Sequence, residues 1–361
     1  MPTLSRLLLP ITVCAFALLA PSAEAAQKKK SKAKIHAKAV KDAAPKPYGR
    51  REDLMRFAQD LAQAQGWDAA ELQALQSQMA QAQKHPTVQR LIMPPPAGTA
   101  KNWAAYRAMF VEPRRIQAGL AFWREHEASL NRASEQYGVP AAIIVGLIGV
   151  ETFYGQIMGG FRIIDALTTL GFDFPPGRKD RSEFFREELR QFLILSKREG
   201  LDPLTVKGSY AGAMGLPQFM PGSWNRHAVD FDGSGRIDLV NSPADAIGSV
   251  AHYLVQHSWQ RDLPLTFEIR VPVDSSARAT LLAPDILPSF SAAQMVELGA
   301  VLSEDGRQHA GPLALVELQN GEAAPSYVAG TANFYALTRY NWSSYYAMAV
   351  IALGQEIASQ R

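Results

Sequence analysis

Ten consecutive residues without a polar side chain, Ala141 to Val150, run from Pro140 to Glu151. This run constrains the chain more than any other. A helix that is apolar on every side belongs in the middle of a fold, so the other segments have to wrap it. Ten residues are too few for a membrane span, which needs about 20. Pro140 falls at an expected first helical position. Glu151 closes the run, where a carboxylate is poorly hydrated and its charged form disfavoured. A carboxyl that stays protonated near neutral pH is what a general acid requires. The competing reading is structural, a buried Glu paired with a base such as Arg162; residue type and position leave the two level.

The surrounding segments read mostly as helices. Leu54, Phe57, Ala58, Leu61 and Ala62 fall at helical spacing before Gly66. Asp68 with Glu71 forms a capping box for a second helix bearing Leu72, Leu75 and Met79. Residues 94–98 are a Pro/Gly loop. Ile116, Leu120, Trp123, Leu130 and Tyr137 predict one long helix closed by Gly138, and Asp180 with Glu183 predicts a capping box before a Phe184–Leu195 helix. From about residue 263 the pattern alternates, in Leu265–Val271 and Leu313–Leu318, as half-buried strands do; Tyr345 to Ile357 is helical again. The expected class is mainly α with a small β subdomain.

Charge divides the chain. Its formal net charge is +3, yet residues 1–51 hold eleven of the 37 Lys+Arg and two of the 34 Asp+Glu. The remainder carries 26 bases against 32 acids. An acidic body on a basic arm is not a nucleic-acid reader, whose basic groups lie on the folded face. Arg6, the apolar run Leu7–Ala20 and the small residues around Ala23–Ala26 describe an export signal over 1–26, cut after Ala25 or Ala26. The single cysteine, Cys14, lies inside that run without the small residue expected before a lipid-attachment site, so a lipid anchor is not favoured. Residues 27–51, rich in Lys and Ala, read as a disordered, self-repelling tether with a weak preference for anionic membrane or wall surfaces.

A second candidate feature spans Lys207 to Trp224. Its Gly and Pro content predicts a loop running into a short turn. The loop sets Ser209 and Gln218 beside Met214, Phe219 and Met220. Such a mixture suits a sugar, with apolar faces and hydrogen-bonding edges. A third is Asp230-Phe-Asp-Gly-Ser-Gly-Arg-Ile-Asp238. Asp230, Asp232, Ser234 and the Arg236 carbonyl stand at the ligand spacing of a calcium loop, although Asn241 occupies its last position. Asp-Gly turns are common without an ion, and Ser242-Pro243-x-Asp245 is itself a helix start. His252 and His257 are five apart and lack the spacing of a zinc helix.

Glu151 on an apolar helix, followed by Gly212-Ala-Met-Gly-Leu-Pro-Gln-Phe-Met-Pro221, resembles the lytic murein transglycosylases of the B type. Further matching stretches are Asn102-Trp103, Gly138-Val-Pro140, Val229-Asp-Phe-Asp-Gly233, Asp245 to Val250, Asn333 to Asn341 and Tyr345 to Val350. The resemblance covers essentially residues 50–361. It implies a helical subdomain over 52–135 flanking a lysozyme-like catalytic core over 136–262, a β subdomain over 263–330, and a C-terminal segment, 331–361, that returns to the core. It also implies cleavage of the β-1,4 bond between N-acetylmuramic acid and N-acetylglucosamine without water, the muramic acid 6-hydroxyl attacking to close a 1,6-anhydro ring. Glu151 would act as acid and then as base. Ser209 and Gln218 would bond the acid and an acetamido group. Tyr106, Tyr253, Tyr340, Asn341 and Tyr346 would line the cleft, with Met214 and Phe219 as apolar walls. Asp245 would be the late ligand of a structural calcium ion. The implied partner is the peptidoglycan glycan strand, met by a monomer in the periplasm. The sequence departs from the family pattern at Phe153-Tyr154, which replaces Arg-Trp, and in a longer 174–182 segment, which leaves open whether Arg178, Lys179 or Arg181 faces substrate. A water-admitting muramidase and a non-catalytic wall-binding scaffold are the competing readings.

Overall fold

The computed structural model describes residues 43–94 and 101–361. The signal, Cys14 and most of the tether lie outside the described residues, as does most of the 94–98 loop.

The apolar run forms the Ala141–Thr152 helix, buried at every position from Ile143 to Val150. Pro140 is its N-cap rather than its first residue. Its main neighbour is the last helix, Ser344–Ser359, and the two approach backbone to backbone. A Cβ on Gly146 would stand 2.3 Å from the Val350 carbonyl oxygen, and one on Gly354 2.1 Å from that of Ala142. Glycine is required at both crossings because any side chain would push the helices apart. Glu52–Gln65, ended by Gly66 in the left-handed region, and Ala69–Gln81, with the Asp68/Glu71 capping box formed, follow the sequence pattern.

Four expectations need correction. The long helix over 116–137 is two, Pro113–Glu125 and Glu127–Tyr137, broken at His126. The first half packs on Ser344–Ser359 and Ala141–Thr152, the second chiefly on Pro243–Gln256, so the apolar stripe has to change direction. The Asp180/Glu183 capping box does not form. Asp180 accepts from the Ser182 N–H (2.8 Å) and hydroxyl (3.1 Å), which starts the helix at Ser182 and leaves Glu183 to pair with Arg186. The short turn after the 207–220 loop is a helix, Pro221–His227, initiated by its proline. The tether stops before residue 51. Lys46–Pro47 pairs with Gln83–Lys84, and Arg51 binds nearby Asp53 (2.7 Å) and distant Asp173 (2.8 Å), the latter a charge partner that the local sequence does not reveal.

Late in the chain, four antiparallel strands lie in the spatial order Val301–Leu302, Thr266–Arg270, Ala323–Gly330, Ala314–Asn320. They enclose a second apolar cluster that includes Leu281, Met295, Leu313 and Leu315. No single helix among the described residues is long and apolar enough to cross a membrane.

Candidate active site

Glu151 sits in the last turn of the buried helix and is itself half-buried. The helix stops because Phe153 and Tyr154 both adopt left-handed backbone (φ 51° and 56°). Non-glycine residues rarely tolerate this, and such strain clusters at functional sites. Thr152 then ties the helix end to the 207–220 loop, its hydroxyl donating to the Leu216 carbonyl at 2.9 Å. Arg162, the candidate structural partner of Glu151, is committed elsewhere, to Asp165 at 2.7 Å.

The loop is fastened from both sides. Lys207–Gly208 pairs with Phe161–Arg162. Met214 and Phe219 exchange backbone hydrogen bonds (2.8 and 3.0 Å) around a tight turn. At its tip Gln218 is held at φ 50°, a third left-handed non-glycine residue beside the cleft. Ser209 and Gln218 spend their side-chain hydrogen bonds on this scaffold. Ser209 Oγ accepts from the Ala213 N–H at 2.9 Å and the Ala211 N–H at 3.3 Å, while Gln218 Nε2 donates to the Gly215 carbonyl (2.9 Å) and the Met158 carbonyl (3.3 Å). Neither bonds Glu151.

The partner of Glu151 is Tyr346, whose hydroxyl donates to Oε1 at 2.5 Å. From there an aromatic wall extends: Tyr346 stacks on Tyr340 (6.5 Å between ring centroids, 13° between planes), Tyr340 meets Tyr253 (4.8 Å), and Phe219 touches both (5.8 and 5.5 Å). The wall is fixed by polar anchors. Tyr340 donates to the Pro217 carbonyl (2.5 Å) and Tyr253 to the Arg339 carbonyl (2.8 Å). Tyr106 stands in an adjoining cluster with Trp103, Phe110 and Tyr345. Met214 and Asn341 are buried. Trp103 and Tyr345 were not among the sequence-predicted cleft residues because in sequence they are indistinguishable from core aromatics, although both lie in the matching stretches Asn102-Trp103 and Tyr345 to Val350. Of the three basic candidates, Arg178 donates to the Ile92 carbonyl and Arg181 lies over the Phe184 ring (4.6 Å), which leaves exposed Lys179 the least engaged.

Burial pushes the Glu151 carboxyl up to about 7, and the Tyr346 hydroxyl opposes this by stabilising the ionised form. Burial also carries the Tyr340 and Tyr346 phenols well above their usual range, reinforced by the neighbouring Glu151 charge, so both stay neutral donors. The site therefore holds one carboxyl able to give and retake a proton near neutral pH, in front of a wall of neutral aromatics.

In the 230–245 segment, oxygens of Asp230, Asp232 and Asp245 lie within 4.8 Å of one another, the one such group of potential metal ligands among the described residues. Gly233 (φ 77°) and Gly235 (φ 84°) make the turns that bring the loop round. Ser234 Oγ donates to the Arg236 carbonyl at 3.1 Å, which places both donors beside the carboxylates. Asp245, fully buried, accepts from the N–H groups of Phe231 (2.7 Å), Asp232 (3.2 Å) and Asp238 (2.8 Å). Three converging carboxylates with a hydroxyl and a carbonyl are a donor set for a hard cation. His252 Nδ1 bonds the His227 carbonyl oxygen (2.8 Å), a structural role.

Residues 49–355 match the family model of the transglycosylase SLT domain. The membrane-bound lytic murein transglycosylase B of Escherichia coli (strain K12) is 39% identical over 322 residues, 87% of this chain and 85% of the relative. The crystal structure of the soluble lytic transglycosylase SltB1 of Pseudomonas aeruginosa superposes with a TM-score of 0.77 at 40% identity, covering 86% of this chain and 99% of that one. The lytic transglycosylase Slt35 of Escherichia coli, in complex with calcium, superposes with a TM-score of 0.74 at 38% identity, over 87% of this chain and 96% of that one.

Proposed function

The chain belongs to the lytic murein transglycosylases of the SLT-domain family, peptidoglycan-cleaving lyases with a lysozyme-like core, and from that premise we propose that Glu151 alone carries the proton transfers. One observation supports this reading. Among the described residues, burial and the Tyr346 hydroxyl are what shift the Glu151 carboxyl, and no other carboxylate contributes. Ordinary glycosidases place a second carboxylate opposite the acid, as nucleophile or base. Here the protonated Glu151 gives its proton to the glycosidic oxygen as the bond to the muramic acid C1 breaks. The same sugar's 6-hydroxyl attacks C1 and returns its proton to the Glu151 carboxylate. No water enters, the acid is regenerated, and the product ends in a 1,6-anhydro ring. Alignment of an internal nucleophile contributes about 7–11 kcal/mol of the barrier reduction.

Tyr346 holds the carboxyl in one orientation and stabilises the carboxylate formed midway. Tyr340, the half-buried member of the aromatic wall, offers a face to a sugar ring, with buried Tyr253 and Phe219 packed against it, and Gln218 and Ser209 shape the loop that carries the acetamido contact. Asp230, Asp232 and Asp245, with Ser234 and the Arg236 carbonyl, would hold a structural calcium ion, which supplies the positive charge that offsets the mutual repulsion of the three carboxylates. The substrate is the glycan strand of peptidoglycan, reached from the periplasm on the basic arm.

Mass spectrometry of muropeptides from digested cell wall tests the reading. Anhydro ends, one water lighter than reducing ends, are expected; reducing ends alone would overturn it.

A further inference from the structure

A second cavity, of about 180 Å3, opens between the Ala69–Gln81 and Ser182–Arg198 helices, and none of its lining residues belongs to the cleft around Glu151. Half-buried Trp67 forms one wall. Lys197 Nζ lies 5.1 Å from the indole centroid and pairs with Glu71, whose other oxygen accepts from the Asp68 N–H at 2.8 Å. The polar rim is thus fixed before any ligand arrives. Leu201 adds an apolar wall and Gln78 an amide at the half-exposed edge. Ser196, 2% exposed, closes the cavity floor, its hydroxyl buried and without a hydrogen-bond partner among the described residues.

We propose that this cavity is a second glycan-binding site, taking one N-acetylhexosamine unit of the wall polymer. The ligand class rests on the reading of the chain as a peptidoglycan enzyme. The cavity is the size of a single ring. An aromatic face with a few convergent polar groups is the composition that sugars select, and the Gln78 amide beside Leu201 suits an acetamido group and its methyl. An enzyme that holds its polymer at a point away from the cleft stays on an insoluble substrate between turnovers, since the second contact becomes intramolecular.

The test is calorimetric titration of the full-length Glu151→Gln protein with the β-1,4-linked trimer of N-acetylglucosamine. Two classes of site are expected, one of which is lost with Trp67→Ala and kept with Trp67→Phe. Gln78→Arg, which blocks the mouth from the half-exposed rim without touching the core, should remove the same site. With Glu151 restored, both blocking variants should bind cell-wall sacculi about tenfold more weakly, the loss of about 1.4 kcal/mol, while keeping kcat/KM on a short soluble glycan. A single site in the Glu151→Gln protein, two sites surviving both blocking variants, or turnover of the short glycan falling in step would overturn the proposal. Failure of the catalytic reading looks different: reducing ends from the wild type, with the Trp67-dependent site still titrating.

Discussion

The Tyr346 hydroxyl meets Glu151 Oε1 at 2.5 Å across 195 positions of sequence. It binds the proposed acid to the last helix of the chain, and among the described residues it is the one side-chain hydrogen bond that tunes the carboxyl. Tyr346→Phe keeps the buried ring but removes the donor. Hydrogen bonds to charged groups are worth about 1.5–3 kcal/mol, so kcat should fall about tenfold or more. Because the bond favours the carboxylate, its loss should also move the alkaline limb of the pH–rate profile upward, a shift that simple loosening of the fold would not give.

Glu151→Gln should abolish turnover, by about 10³-fold or more, while the protein stays folded. It should also change stability with a definite sign. The folded carboxyl titrates at about 7, above its ordinary value of 4.5, so between those pH values the folded state holds the proton more tightly than the unfolded one. Wild-type stability therefore falls as pH rises through that window. The variant lacks this loss. Its thermal midpoint should exceed the wild type's at pH 8 and approach it below about pH 4.5; the opposite order would contradict the assigned shift.

The glycine crossing that brings Tyr346 to Glu151 leaves no room for a side chain. Gly354→Ala puts a methyl group 2.1 Å from the Ala142 carbonyl oxygen, so the helices must separate. A cost of about 1–3 kcal/mol in a denaturant titration is expected. Activity should fall as well, although Gly354 touches no substrate.

Calcium separates two roles within one acidic group. Adding the ion should raise the thermal midpoint of the wild type, and chelation should lower it, by mass action on the native state. Asp232→Asn should blunt that response, since Asp232 is the exposed carboxylate of the group. Asp245→Ala should destabilise the protein even without calcium, by about 1–3 kcal/mol for each N–H group left without an acceptor. If the two variants behaved alike in chelator, Asp245 would not have this scaffold role.

Local pattern alone determined a good deal. Apolar residues without a polar break made Ala141–Thr152 the central helix and set Glu151 at its end, where burial raises a carboxyl. Period-two alternation found two of the four late strands, but not Val301–Leu302 or Ala323–Gly330, and Gly and Pro found the loop that turns at Gln218. All of these are properties of neighbours in sequence, which periodicity and backbone freedom encode directly. Tertiary packing decided the rest. It split the 113–137 stripe at His126 because its two halves meet different helices. It turned Ser209 and Gln218 toward their own loop instead of Glu151, since buried backbone groups claimed them first. It chose Tyr346 as the partner of Glu151, a choice fixed by the close approach of Gly146 and Gly354, where the absence of two side chains matters only once the helices are side by side.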